Sequence, residues 1–345
     1  MTKATVFALD EGLGRRSRGP LAPRRRTIAR AKMSEETYHW PVLVEEIVEI
    51  CRALPRGVII DATLGGGGHA AAILGTVEHV RILGIDRDPE ARAAASSRLA
   101  PFAVRSRIVS ASFADVPAVI RANDDFLASS PVVGVLMDLG VSSHQLDDPS
   151  RGFSFRFDAP LDMRMDPTTG ETAADLIAHI SQEELVHLLR VNGEGRFARA
   201  IATAVREGRP TTTGELVALV ERAVPIPARR RGNVATRVFQ ALRIAVNDEQ
   251  GQLDDGLQAA FDSLAPGGSL MVISYHSGED RAVKSFLHEL STGGCHCPPE
   301  LGCVCGAVPS ARILRASAVL ARPDEIASNP RARSARLRVG WKLAR

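Results

Sequence analysis

Aromatic side chains are scarce in this 345-residue chain: Phe, Tyr and Trp together make up 4% of it. Stacking platforms for nucleic-acid bases must therefore be few. No uncharged apolar run is long enough to cross a bilayer. The first residues have no apolar signal-peptide core, because Arg15, Arg16 and Arg18 interrupt them early. The expected location is cytoplasmic, where a disulfide framework is not expected. The net charge is only +3, so the whole-molecule field is weak. A hydrophobic share of 45% and a charged share of 24% are ordinary for a globular protein. The length suits two domains, or one domain carrying a large insertion.

The charge that is present is uneven. Residues 1–33 hold Lys3, Arg15, Arg16, Arg18, Arg24, Arg25, Arg26, Arg30 and Lys32 against Asp10 and Glu11. Such a tail cannot bury apolar surface and is expected to be disordered. It reads equally as an arm that grips phosphates and as a solubilising extension.

Residues 34–147 alternate short β-rich runs with helical patterns. Val58–Asp61 and Arg81–Asp86 are strands ending in an acid, Arg107–Ser110 is a weaker strand, and Val132–Asp138 is apolar almost throughout. A continuous apolar strand implies burial on both faces, as in a parallel sheet covered by helices. Asp88 and Pro89 start the helix after the second strand as N-cap and first helical residue. From 171 to 246 the pattern is almost entirely helical, with capping boxes at Ser181/Glu184 and Thr212/Glu215 and stops at Gly193 and Gly208. The α/β pattern resumes with a helical stripe at Leu253, Leu257, Phe261 and Leu264 and a buried-type strand at Ser269–Tyr275. Ile313–Ala321 and Ala335–Leu343 suggest a closing hairpin. The expected fold is α/β: a doubly wound, Rossmann-like sheet of about seven strands with an inserted all-α domain. The sheet domain would comprise 34–147 and 250–345, and the insertion 148–249.

In such a sheet, ligands bind beyond the carboxyl ends of the strands. Three features meet there: the glycine run Gly65–Gly68 after Asp61, then Asp86, then Asp138. Consecutive glycines let a backbone pass close beneath a ligand, and a carboxylate at Asp86 suits a ribose diol. Taken alone this is ambiguous, since Gly65-x-Gly67-x-x-Ala70 followed by Asp86 also fits the dinucleotide fingerprint. The loop Asp138–Asp147 decides between them. A short polar motif begun by Asp aims acceptors at a target amine, whereas hydride transfer has no use for it.

These segments closely resemble the bacterial family of 16S rRNA cytosine-N4 methyltransferases. The resemblance is carried by His39–Leu43, Asp61–His69, Gly84–Asp88, Asp138–Asp147, Arg151–Phe155, Pro160–Asp166, Ala235–Ile244, Val246–Glu249, His276–Arg281 and Asn329–Ser334, in order from about residue 38 to the C-terminus. It implies a class I methyltransferase fold, S-adenosylmethionine as cofactor, and 16S rRNA of the small ribosomal subunit as partner, methylated in the decoding region. It further implies cofactor contacts from Gly67, Gly68, His69, Asp86, Phe113, Asp138 and Gln145. The chain departs from the family pattern at Asn233-Val234, Gly278, Gln250 and Gly195, none of them an inferred cofactor contact.

The amine of cytosine is a poor nucleophile, so Asp138 or the Ser142–Ser143 loop is expected to accept its proton. Arg229, Arg230, Arg231, Arg237 and Arg243 on the insertion are candidates for phosphate contacts, and His276 for the RNA or the cofactor. Asp162, Arg164 and Asp166 read as a tie between insertion and sheet domain. Cys295, Cys297, Cys303 and Cys305 present four soft ligands in one loop, as a structural zinc requires. Their C-x-C spacing is tighter than the usual two-residue gap, so free thiols remain the simpler reading. A methyltransferase for another nucleic acid, and a ribosome-assembly factor that keeps only the cofactor pocket, are the competing functions.

Overall fold

The computed structural model describes residues 41–231, 234–298 and 303–344. The basic tail at 1–33 lies outside the described residues, as do His39, Trp40 and Asn233. The strands are β1 (Gly57–Asp61), β2 (Val80–Ile85), β3 (Ser106–Val109), β4 (Val132–Asp138), β5 (Ser269–Ser274), β6 (Ala311–Ile313), β7 (Val319–Leu320) and β8 (Arg336–Lys342). They build one eight-stranded sheet in the order β3-β2-β1-β4-β5-β8-β6. β1 to β5 run parallel, and β8 runs antiparallel to β5. The sequence order reverses between β1 and β4, which opens a crevice at the carboxyl ends of those strands.

The expected closing hairpin is a different object. β6 and β7 both pair with the same edge of β8, one after the other. Between them, residues 314–318 lie opposite only 338–339, so the edge strand is broken by a wide bulge. Arg315 closes this bend by donating to the Ala318 carbonyl at 3.1 Å.

The connecting helices are α1 (Val44–Arg52), α2 (Gly68–Leu74), α3 (Pro89–Leu99), α4 (Val116–Ala122), α5 (Asp124–Leu127) and α6 (Ser143–Asp147). A helical block follows: α7 (Ala173–His179), α8 (Gln182–Val191), α9 (Ala198–Gly208), α10 (Thr213–Ala223), α11 (Ile226–Arg231) and α12 (Val234–Val246). α13 (Glu249–Ser263), α14 (Ser277–Thr292) and α15 (Pro323–Ser328) complete the chain. The two capping boxes expected at Ser181 and Thr212 are both formed. Gly208 is the last residue of α9 rather than its stop, and Arg209 takes the left-handed position after it.

Alternation along the strands divides the core in two, because successive side chains point to opposite faces. Ile59, Leu136, Met271 and Ile273 face α1, α2 and α3. Val58, Ile60, Val135, Met137, Leu270 and Val272 face α4, α13 and α14. The buried residues of a third apolar cluster fall within Phe153–Leu242 and hold the helical block together, with Val141 and Leu146 packed against them. The described residues nevertheless belong to one compact unit.

Candidate active site

Every acid that the sequence places at a strand end arrives at the same rim of the sheet. β1 ends in Asp61, Asp86 follows β2, β4 ends in Asp138, and Tyr275 follows β5. The turn after β1 folds back with Gly67 at φ +73, a conformation that a side chain resists. A Cβ on Gly67 would sit 3.3 Å from Ala95, and one on Gly68 would sit 3.0 Å from the Pro41 ring. These two glycines therefore admit protein neighbours, while Gly65 has open space beside it and lines a cleft.

Two clefts open at this rim, of about 1140 and about 1410 Å³ with their open mouths included. The first is lined by Gly65, Gly68, His69, Asp86, Phe113, Asp138, Ser142 and Gln145 among others. Of the seven expected cofactor residues, Gly67 alone does not line it and acts by shaping the turn. Asp86 is held by two backbone donors: Gly65 N–H reaches Oδ2 at 2.7 Å, and Asp88 N–H reaches Oδ1 at 2.8 Å. Burial raises its pKa, and those two donors pull it back only in part. Phe113 is seated on Gly256 of α13, where even a methyl group would come within 2.6 Å of the ring.

Asp138 stands among groups that are far apart in sequence. Its N–H donates to Thr63 Oγ1 at 2.5 Å, and its Oδ1 accepts the Tyr275 hydroxyl at 2.8 Å. Its Oδ2 lies 3.7 Å from Nδ1 of His69. Nε2 of that buried imidazole is 2.8 Å from the Val42 carbonyl, which can only accept, so the Nε2 proton is fixed. Burial, then the Asp138 charge, raises the Tyr275 phenol well above its ordinary pKa and keeps it a donor. Asp61, buried behind the turn, is raised to about 7, chiefly by burial, with His69 pulling it down and Asp138 pushing it up. Thr63, Tyr275 and Asp61 were not among the expected site residues. Asp61 and Thr63 fall in the Asp61–His69 segment that carries the family resemblance, and Tyr275 was signalled only by its position at a strand end.

The polar loop after β4 is locked from within. Ser142 caps α6 by accepting from Gln145 N–H at 3.2 Å, and Gln145 Oε1 returns the bond to Ser142 N–H at 2.9 Å. The Gln145 amide also donates to buried Asp88 at 2.8 Å. Asp88 caps α3, as expected, and in addition accepts from Arg151 at 3.1 Å. Arg151, buried and not singled out by the sequence, also donates to the carbonyls of Arg164 and Met165. Ser143 begins α6, and its side chain lies outside the described part.

The second cleft shares Gly140, Val141, Tyr275, His276 and Glu279 with the first, so these residues form the wall between them. Its other residues come largely from the helical block and its approach, including Phe153, Phe155, Arg156, Phe239 and Gln240, and from Arg331. Phe155 packs edge-on against Phe239 at 5.0 Å. His276 caps α14 through Nδ1, and its Nε2 lies 3.0 Å from Glu279 Oε1. Burial would raise the Glu279 pKa, but the His276 bond and the Arg243 charge outweigh it and hold the carboxylate below its usual range.

Two of the expected phosphate contacts are engaged with carboxylates of the chain itself. Arg243 forms a bidentate pair with Glu249 at 2.8 and 2.8 Å, largely buried on both sides. Arg237 is clamped on buried Glu194 at 2.6 and 3.0 Å. Both guanidiniums are paired with internal carboxylates; Arg237 keeps 34% of its side chain exposed, and Arg243 lines the second cleft. Arg229 is exposed, with Nε on the Val224 carbonyl. Arg230 and Arg231 are in α11, and their side chains lie outside the described part. The second cleft is also lined by Arg156 and Arg331, which flank Asp147 at 3.6 and 2.8 Å. Asp162 and Arg164 pair with each other, Asn247 bonds Met163 and Met165 within the same segment, and Arg87 of the sheet domain reaches Met165 Sδ at 2.8 Å.

A family model for the MraW methylase family matches residues 36–343. The ribosomal RNA small subunit methyltransferase H of Heliobacterium modesticaldum is 45% identical over 313 residues, covering 89% of this chain and 99% of that protein. The protein of the same name from Geobacter sulfurreducens is 47% identical over 312 residues, covering 88% and 99%. A putative rRNA-methylase of known structure from Clostridium thermocellum aligns with a TM-score of only 0.40 at 13% identity, over 88% of this chain and 99% of that one. The family match spans both clefts, their common wall and the helical block between β4 and α13, and the chain belongs to the MraW methylase family.

Proposed function

We propose that this protein transfers the methyl group of S-adenosylmethionine to the exocyclic N4 amine of a cytosine in 16S rRNA of the small ribosomal subunit. The observation that carries the reading is the pair of clefts divided by one thin wall, with Asp138 on the cofactor side of it. Relatives that share 43–47% identity over nearly their whole length are named as small-subunit rRNA methyltransferases, which supports the substrate.

The first cleft suits the cofactor on its own chemistry. Each Asp86 oxygen already accepts one N–H and keeps a second lone pair, which matches the two hydroxyls of a ribose. Phe113, Leu139 and Leu253 offer an apolar wall for a purine. Bound there, S-adenosylmethionine supplies an electrophilic methyl group on a sulfonium. The chain's own residues hold the amine in line and handle its proton. Positioning of this kind is worth roughly 7–11 kcal/mol. Asp138 accepts a hydrogen bond from the amine and takes the proton that nitrogen sheds on alkylation. Tyr275 fixes the Asp138 carboxylate by donating to Oδ1, and His69 faces the other oxygen. Ser142 and Gln145 keep the loop rigid.

A base stacked in a helix cannot reach this wall and must be flipped out, at a cost of a few kcal/mol. Phe155 and Phe239 line the second cleft beside the proposed path of that base, and Arg156 and Arg331 meet the flanking phosphates. Residues 148–249 act as the RNA-recognition insertion, and their separate apolar core supports this. With ribosomal RNA as substrate, the work is done in the cytoplasm. Zinc at the four cysteines would be structural and would take no part in the transfer.

The test is incorporation of labelled methyl from S-adenosylmethionine into small subunits from a strain lacking the enzyme, followed by nucleoside mass spectrometry. N4-methylcytidine that appears with the wild type and vanishes with Asp138→Ala is the expected result. Cofactor binding without any RNA methylation would move the weight to an assembly role or another nucleic acid.

A further inference from the structure

The loop between α14 and β6 is pinned at both ends. Gly294 N–H and Cys295 N–H bond back to the last turn of α14, and Ser310 N–H bonds to the Leu290 carbonyl of the same helix. The described residues between these points form no helix or strand. Their aliphatic side chains do not pack: Val304 is 86% and Val308 65% exposed. Among the described residues of this loop, nothing apolar therefore holds it in shape.

The four cysteines converge all the same. The Sγ atoms of Cys295, Cys297, Cys303 and Cys305 all lie within 4.8 Å of one another. Cys303 Sγ is 3.4 Å from that of Cys295 and 3.5 Å from that of Cys305. Zinc–sulfur bonds of about 2.3 Å in a tetrahedron put sulfurs about 3.8 Å apart. A disulfide would need about 2.05 Å. The cluster thus has the dimensions of a four-thiolate cage, and the C-x-C pairs reach it because each crosses the cage edge by itself.

We propose that Cys295, Cys297, Cys303 and Cys305 bind one zinc ion that serves as the core of this loop. Four zinc–sulfur bonds form as the thiols release their protons to solvent. No coordination position is left open, and none of the four lines either cleft, so the ion neither activates water nor touches substrate. Its effect is to fix residues 293–310 and, through Ser310 and Ala311, the outer edge of the sheet.

The test uses full-length protein purified under reducing conditions. Elemental analysis is expected to give one zinc per chain, falling at least tenfold in the Cys303→Ser/Cys305→Ser variant. Titrating the chelated wild type with Co²⁺ should give the intense visible bands of tetrahedral cobalt and a thiolate charge-transfer band, and zinc should bleach both. Chelation should speed proteolysis within 293–310 and leave S-adenosylmethionine affinity unchanged, which separates this inference from the methyltransferase reading. Absence of zinc together with a flat Co²⁺ titration would overturn it, as would stoichiometric iron or a mapped disulfide among the four. Because the cobalt readout uses the wild type, a variant that fails to fold does not blunt the test.

Discussion

Asp138 and Tyr275 show what a single side chain contributes here. The Tyr275 hydroxyl touches Asp138 and nothing assigned to substrate, so Tyr275→Phe should cut kcat by about tenfold and leave the affinity for S-adenosylmethionine nearly unchanged. Asp138→Asn should cost more, on the order of 10²–10⁴-fold, in single-turnover methyl transfer. Asp61 predicts a pH effect. Its pKa rises from 3.8 to about 7 on folding, so between those values the folded chain keeps a proton that the unfolded chain has lost. Stability from this group is therefore full below about pH 4, falls by at most about 1.4 kcal/mol per pH unit as the pH rises, and levels off above about 7. Asp61→Asn should flatten this slope in denaturant melts run from pH 5 to pH 8; an unchanged slope would refute the assignment. Asp138 was legible because an acid closing an apolar strand is visible in one glance along the chain. Tyr275 was not, because the atom it serves is 137 residues away.

At the scale of elements, local rules were the readable ones. The N-caps and capping boxes of α3, α8 and α10 follow from residues within three positions of one another. What Asp88 does beyond capping depends on Arg151, 63 residues later, and no periodicity announces it. The expected hairpin at the C-terminus failed for a related reason: a run of β-formers shows propensity, but the bulge between β6 and β7 is set by pairing to β8. The seating of Phe113 on α13 gives a test at this scale. Gly256→Ala places a methyl group against the ring, and overpacking of this sort costs about 1–3 kcal/mol. The ring can yield only by moving within the first cleft, so the Kd for S-adenosylmethionine should rise by about tenfold in calorimetry, with kcat at saturating cofactor changed less.

The whole molecule binds a polyanion with a net charge of only +3, so placement of the charge must do what its sum does not. The sequence suggested arginines on the insertion, but charge counts cannot tell a cation paired with a buried carboxylate from one paired with an exposed carboxylate. Arg243→Ala should destabilise the fold by on the order of 3 kcal/mol by stranding Glu249, a loss visible in thermal melts before any in RNA affinity. Arg156→Ala/Arg331→Ala should do the reverse: the melting temperature holds, while the slope of log K against log salt for rRNA fragments becomes shallower by about 1.4–1.8. The shared wall at Gly140, Val141, Tyr275, His276 and Glu279 has a consequence for the order of events. A residue that borders two chambers cannot adjust to an occupant of one without changing the shape offered to the other. With the cofactor in one chamber and RNA in the other, as proposed, the two bindings are linked, and the factor by which either alters the affinity of its neighbour must be the same in both directions. In that arrangement, departure of either product after transfer alters the chamber that the remaining one occupies.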